Sequence, residues 1–213
     1  MSRIEVVNLN KYFGNSWILK DISADFKEGN IYGIVGRNGS GKTVLFKCIC
    51  GLIHDFSGEI RIDGKLIGKE IDFPESIGVI IESPGFIGQF SAYQNLKYLS
   101  LLNKHFNRER ILEVLKQVGL SESVNKKVAK FSMGMRQKLG IAQAIMEDPD
   151  ILVLDEPMNG LDQSSVDSIR SLILHLKEEG KLIILASHNK EDIESLCDCV
   201  YQMEAGVLSK MKE

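Results

Sequence analysis

No part of the sequence constrains the fold more than Gly36-Arg-Asn-Gly-Ser-Gly-Lys-Thr43. It fits G-x-x-x-x-G-K-[ST] and lies where that pattern has a mechanism, after the apolar run IYGIV and before a helical stretch, Lys42 to Cys50. Glycines let the backbone curl until successive N–H groups point at one centre, and the start of a helix adds partial positive charge there. Such a loop suits phosphate. Lys42 is placed to bridge outer phosphates and the Thr43 hydroxyl to carry Mg²⁺. Gly36, Arg37, Asn38, Gly39, Ser40, Gly41, Lys42 and Thr43 are therefore the expected contacts. A glycine-rich turn without a ligand is the competing reading.

A loop of this kind needs a sheet around it, and the chain supplies one. Up to residue 90, short Ile- and Val-rich runs bounded by Gly, Asn or Asp predict strands at Ile4 to Leu9, Trp17 to Phe26, Ile31 to Val35, Gly58 to Ile62 and Ile77 to Ile81. Between Ala92 and Met146 the period changes. Leu96, Leu99 and Leu102, then Ile111, Leu112, Leu115 and Val118, recur at three and four, which predicts helices. Strands return at 151 to 154 and 182 to 186 around a helix from Gln163 to Glu178, and Val200 to Met203 with Val207 to Ser209 forms a closing hairpin. That alternation implies right-handed βαβ units and a parallel sheet covered on both faces, an α/β fold.

The totals exclude several functions. Lys and Arg number 26 against 29 Asp and Glu, a formal charge of −3, so no nucleic acid is expected as a partner. No apolar run approaches the roughly 18 residues of a membrane span, and MSRIEVVNLN lacks the apolar core of a signal peptide, so the expected location is cytoplasmic. Cys48 with Cys50 and Cys197 with Cys199 are spaced C-x-C, which on a helix points the thiols to different faces. They are expected to be reduced and structural.

Ile151-Leu-Val-Leu-Asp-Glu-Pro157 is an apolar strand ending in two carboxylates. Ligands of parallel sheets bind at the carboxyl ends of strands, which would bring Asp155 beside Thr43 to complete a magnesium site. A second carboxylate there is costly without a task, and Glu156 is suited to orient or deprotonate an attacking water. Two acids in an ordinary strand-end turn is the alternative.

The motifs that follow narrow the choice. Phe131-Ser-Met-Gly-Met-Arg-Gln137 precedes the acidic strand, Pro157-Met-Asn-Gly-Leu-Asp162 follows it, and Ser187-His188 ends the next strand. With the phosphate loop, this ordered set resembles the ATP-binding cassette (ABC) family over essentially the whole chain. The resemblance implies a P-loop NTPase of the ABC ATPase fold: a mainly parallel RecA-like core, an N-terminal antiparallel β portion and a helical subdomain. Residues 1–213 would form one domain, with 1–90 and 147–213 as the core lobe and 91–146 as the helical lobe. It also implies ATP and Mg²⁺ as cofactors and hydrolysis of ATP.

The same resemblance assigns roles. Phe13, in Lys11-Tyr-Phe-Gly14, matches the aromatic ring that stacks on adenine, with Tyr12 as the neighbouring alternative and a plain strand-end aromatic as the other. Ser132 and Gly134 match the signature that meets the γ-phosphate of ATP held by a second cassette, so two chains would face each other head to tail, and a homodimer suffices. Asp162 matches the residue connecting the two sites, and His188 the switch histidine at the γ-phosphate. Met133 and Met135 depart from the common signature LSGGQ, which removes one side-chain amide.

One cassette without long heptads resembles transporter subunits rather than soluble ABC ATPases, and the run Glu82-Ser-Pro-Gly-Phe86 with Ala92-Tyr-Gln-Asn-Leu96 is most similar to exporters of the bacitracin and lantibiotic-resistance type. Separate transmembrane permease subunits would then hold the chain on the cytoplasmic face of the membrane. They would dock on the segment from Pro84 to Leu96, where Phe86, Phe90 and Tyr93 either line a groove or belong to the helical core. A soluble ABC ATPase and, more remotely, a P-loop phosphotransferase are the alternatives. Glu82 occupies the position where the family carries a glutamine that touches Mg²⁺ or the attacking water. A carboxylate there should bind the metal and repel Glu156 when ATP is absent.

Overall fold

A computed structural model describes residues 3–82, 85–102 and 106–211. The N-terminal strands are two-faced: in β1 (Arg3–Phe13), Ile4, Val6, Leu9 and Lys11 point inward. The alternation slips between Val6 and Leu9, where the pairing shifts and Asn8 takes φ +48°. Further shifts follow between Leu9 and Lys11 and between Lys11 and Tyr12, and together they set which residues of the strand's far end face the core. β1 pairs antiparallel with β2 (Ser16–Lys27) and β4 (Ser57–Ile62), and the two-residue β5 (Lys65–Leu66) completes a four-stranded sheet in the order β2-β1-β4-β5.

The second sheet contains β3 (Ile31–Val35), β6 (Ile77–Ile80), β7 (Ile151–Asp155), β8 (Leu182–Ala186), β9 (Cys199–Glu204) and β10 (Val207–Lys210). Its order is β10-β9-β3-β8-β7-β6, with every neighbouring pair parallel except β9 and β10. The predicted parallel sheet thus carries an antiparallel edge. The edge follows from the Ala205-Gly206 turn, where both residues take positive φ, the geometry a two-residue hairpin favours. The strands β7 and β8 are buried on both faces. Leu152, Leu154, Ile183 and Leu185 face one core with Leu96, Leu115, Ile145 and Ile173, whereas Ile151, Val153 and Ile184 face the other with Ile4, Phe26, Leu45 and Phe46.

Six α-helices lie among the described residues: α1 (Lys42–Ile49), α2 (Ala92–Leu102), α3 (Arg108–Gln117), α4 (Met133–Ile145), α5 (Gln163–Glu178) and α6 (Lys190–Leu196). The start of α2 is a capping box, in which Ser91 N donates to Gln94 Oε1 and Gln94 N to Ser91 Oγ. The helix α4 reaches the sheet because β6 carries a glycine: a Cβ on Gly78 would lie 2.0 Å from the Ala144 carbonyl oxygen. Cys48, Cys50, Cys197 and Cys199 are free, and burial pushes the first three thiols up to about 12.

Some expectations need correction. Leu102 is 77% exposed, because Leu96 and Ser100, four apart, continue the buried stripe of α2 instead. Leu112 is likewise exposed, since α3 buries Ile111, Val114 and Leu115. Cys50 and Ile81 fall one residue beyond α1 and β6. The helix α6 has no counterpart in the apolar pattern. Among the described residues no helix is long and apolar enough to cross a membrane.

Candidate active site

The carboxyl ends of β3 and β7 meet the start of α1, the position at which open parallel sheets bind ligands. Between β3 and α1, Gly39 (φ +80°) and Gly41 (φ +114°) hold conformations that disfavour any side chain. Gly36 is required for a different reason: a Cβ there would lie 2.3 Å from the Met203 carbonyl oxygen and 2.8 Å from Ser40 Oγ. The loop that results is short of partners for its polar groups. The start of α1 has no side-chain cap, and Ser40 Oγ is buried without a hydrogen-bond partner. The buried Lys42 folds its ammonium back to donate to the Gly36 and Arg37 carbonyls at 2.7 and 3.3 Å. Uncapped N–H groups, an orphan hydroxyl and a lysine facing only neutral carbonyls together fit a multiply charged phosphate ligand.

A cavity of about 540 Å³ lies over this loop, lined by residues 38–44 together with Phe13, Glu82, Asp155 and Glu156. Thr43 Oγ1, in the first turn of α1, donates to Asp155 Oδ2 at the end of β7 across 2.7 Å. No group of three or more His, Cys, Asp or Glu forms a metal cage among the described residues. The Thr43–Asp155 pair instead suits a hard cation such as Mg²⁺ that keeps water and takes phosphate oxygens as its other ligands.

Glu156 follows Asp155 in a left-handed backbone conformation, φ +51°, fixed by its N–H donating to the Ala186 carbonyl at 3.0 Å. That conformation costs about 1–2 kcal/mol for a residue with a side chain, and such strain collects where a side chain must be aimed. Here it aims the carboxylate at the end of β8. Glu156 Oε2 lies 2.8 Å from His188 Nδ1 and 3.4 Å from the His188 N–H. A carboxylate so placed can take a proton from water while the imidazole fixes its orientation. The Gln137 side-chain amide, on α4, donates to the carbonyls of Glu156 and Pro157, both at 3.1 Å. Sequence reasoning missed Gln137, although it is the amide nearest the signature serine on the helix.

Glu82 lines the same cavity, also in a left-handed conformation, φ +59°. Its carboxylate accepts from Lys47 Nζ, on α1, at 2.7 Å. The expected repulsion from Glu156 therefore has a local counter-charge that the sequence did not reveal.

Phe13 reaches the cavity half-exposed, with the buried Lys11 ammonium 4.7 Å from its ring centroid and paired to Asp55 at 2.9 Å. Tyr12 turns instead to Trp17, ring centroids 3.6 Å apart. Gly36, Arg37 and His188 line a separate cavity of about 670 Å³. Ser132 and Asp162 do not line the first cavity; each caps a helix. Ser132 Oγ accepts from Met135 N at the start of α4. Asp162 accepts from Ser164 Oγ, Ser165 Oγ and Ser165 N at the start of α5, hydrogen bonds that hold its carboxyl well below the usual range. Gly134 packs close to the loop before α5, where a Cβ would lie 2.8 Å from the Gly160 carbonyl oxygen.

In the segment after Glu82, Pro84 lies outside the described residues. Phe86 and Tyr93 pack against the helical core, and Phe90 stacks on Tyr98 with centroids 4.9 Å apart. The buried Asn95 pins this segment, accepting from the Ile87 N–H at 2.9 Å and donating to the Ile87 carbonyl at 3.2 Å.

Residues 19–159 match the sequence profile of the ABC transporter family. YybJ of Bacillus subtilis (strain 168), described as an uncharacterized ABC transporter ATP-binding protein, is 46% identical over 205 residues, which cover 96% of this chain and 94% of YybJ. The bacitracin transport ATP-binding protein BcrA of Bacillus licheniformis is 39% identical over 207 residues, 96% of this chain and 68% of BcrA. Among solved structures, the dimeric bacterial ABC transporter cassette MJ0796 superposes with a TM-score of 0.87 at 26% identity, covering 99% of both chains. A second MJ0796 structure, a dimeric post-hydrolysis state bound to ADP and Pi, gives 0.86 at 25% identity over the same coverage. The phosphate loop, the paired carboxylates and the histidine opposite them thus sit on a framework shared with known cassettes, and the chain belongs to the ABC transporter family.

Proposed function

We propose that the chain is the ATP-hydrolysing subunit of an ABC exporter and that two copies close around two ATP molecules to drive separate permease subunits. The observation that carries the ATPase reading is the meeting of Thr43 with Asp155 at 2.7 Å in the phosphate-loop cavity, whose wall also holds Glu156, with His188 2.8 Å behind that carboxylate in the neighbouring cavity. Bound ATP with Mg²⁺ supplies the phosphoanhydride that water cleaves. The chain's own residues supply the rest. Residues 36–43 bind phosphate through N–H groups and the Lys42 ammonium, and Thr43 with Asp155 holds Mg²⁺. Phe13 receives the adenine ring, and Glu156, oriented by His188, accepts the proton of the attacking water.

Ser132, Gly134 and Asp162 act across the interface between two copies. The dimeric state of the MJ0796 cassette supports this. Residues 1–213 act as one domain, with 91–146 as a helical lobe; the exposed Ile87, just before that lobe, and Tyr98, within it, face the permease on the cytoplasmic side of the membrane. BcrA's description as a bacitracin transport protein supports a peptide antibiotic or similar amphipathic compound as cargo. The test is co-purification from membranes. The tagged chain should bring down a multi-span membrane protein, and deleting its gene should lower the bacitracin concentration that stops growth. A chain that stays in the soluble fraction without a membrane partner would return the reading to a soluble ABC ATPase.

Glu82 contributes to the metal's surroundings under this reading. Glu82→Gln keeps the size and removes the charge. Because the Lys47 pair is largely exposed, folding stability should change by less than about 0.5 kcal/mol. The Mg²⁺ concentration for half-maximal hydrolysis should rise severalfold. An unchanged Mg²⁺ titration would leave Glu82 as the partner of Lys47 and nothing more.

A further inference from the structure

We propose that a buried relay of Arg170, Asp192 and Ser187 positions His188 against Glu156; this rests on the hydrolytic reading of that pair. The His188 side chain is 73% exposed, so packing does not fix its ring. Its placement depends on the backbone on either side. Ser187, before it, is buried, and its hydroxyl both donates to Asp192 Oδ2 at 2.8 Å and accepts from the Asn189 N–H at 3.1 Å. The residues flanking His188 are thus tied to one oxygen.

That oxygen is anchored in turn. Asp192 is 2% exposed and Arg170 9%. Arg170 donates from Nε and Nη2 to Asp192 Oδ1 at 2.9 and 2.6 Å, leaving Asp192 Oδ2 to the serine. Arg170 is steadied by Glu191 at 3.1 Å and Asp167 at 3.6 Å. Asn189 caps α6 by accepting from Glu191 N at 2.9 Å, which sets the register that turns Asp192 inward. A buried ion pair is poor evidence for stability, since apolar pairs of similar volume often serve as well. Its use here is geometric: α5 holds the carboxylate, the carboxylate holds the hydroxyl, and the hydroxyl holds the two peptides around His188. The short helix α6 is what carries Asp192 into that place.

Ser187→Ala removes the link and leaves the ion pair. It should lower kcat by roughly tenfold or more with ATP affinity within about twofold, because misplacement harms the reacting geometry more than binding. In the nucleotide-free protein, the His188 ring resonance, identified by its loss in His188→Gln, should shift or broaden while that of His175 stays. Ser187→Thr, which restores the hydroxyl, should recover both. The double variant Arg170→Met with Asp192→Leu keeps the volume buried without charge and should fold, yet show the same displaced resonance and the same loss of kcat. An unchanged His188 resonance in Ser187→Ala overturns the relay, as does a kcat that falls only in step with thermal stability. If His188→Gln itself hydrolyses ATP normally, the role of His188 is lost, and the resonance alone then reports whether the relay holds the ring.

Discussion

Glu156→Gln should lower steady-state ATP hydrolysis by about 100-fold or more while ATP binding is retained, because the substitution removes the proposed general base and leaves the shape of the side chain. The phosphate loop and the Thr43–Asp155 pair are untouched, so the nucleotide keeps its contacts. The left-handed backbone at residue 156 is set by the hydrogen bond to the Ala186 carbonyl, which glutamine keeps, so the melting temperature should match that of the parent. Phosphate release under saturating ATP and Mg²⁺ measures the loss. A variant that turns over at the parent's rate would move water activation to another group.

Lys42→Ala acts at the earlier step. Its ammonium is buried against the Gly36 and Arg37 carbonyls, and among the described residues no carboxylate pairs with it. A hydrogen bond to a charged group contributes about 1.5–3 kcal/mol, so losing it should weaken ATP binding by roughly 10- to 150-fold. Ligand that binds only the folded state stabilises it with the logarithm of one plus the ratio of ligand concentration to Kd. ATP at about ten times the parent's Kd should therefore stabilise the parent clearly and Lys42→Ala hardly at all. Equal stabilisation of both would mean that the triphosphate is held elsewhere.

The phosphate loop was legible because it is local. Glycines, lysine and threonine fall within eight positions, and the strand before and helix after follow from short apolar patterns. The Thr43–Asp155 contact, between residues far apart in sequence, was legible through one rule: parallel strands bring their carboxyl ends to the same side. What stayed hidden depends on partners that sequence spacing does not name. Lys47 meets Glu82, and Gln137 meets two carbonyls after β7, through the packing of α1 and α4 on the sheet. Phe13 rather than Tyr12 faces the cavity after the pairing of β1 slips three times, between Val6 and Leu9, Leu9 and Lys11, and Lys11 and Tyr12, irregularities that no alternation pattern displays. The helix α6 was missed because its inward face is partly an aspartate. Only Ile193, Leu196 and Asp192 are buried in its seven residues, and Asp192 reads as surface until Arg170 is seen behind it.

The proposed head-to-tail arrangement rests on a second copy, because within one chain Ser132 and Asp162 cap helices, and in the proposal they meet nucleotide only across the interface. The direct measurement is the solution mass of Glu156→Gln by light scattering. With ATP and Mg²⁺ it should be twice that of one chain, falling to that of one chain when ATP is omitted or when Lys42→Ala is added. A protein that remains at the mass of one chain while saturated with ATP would contradict the account.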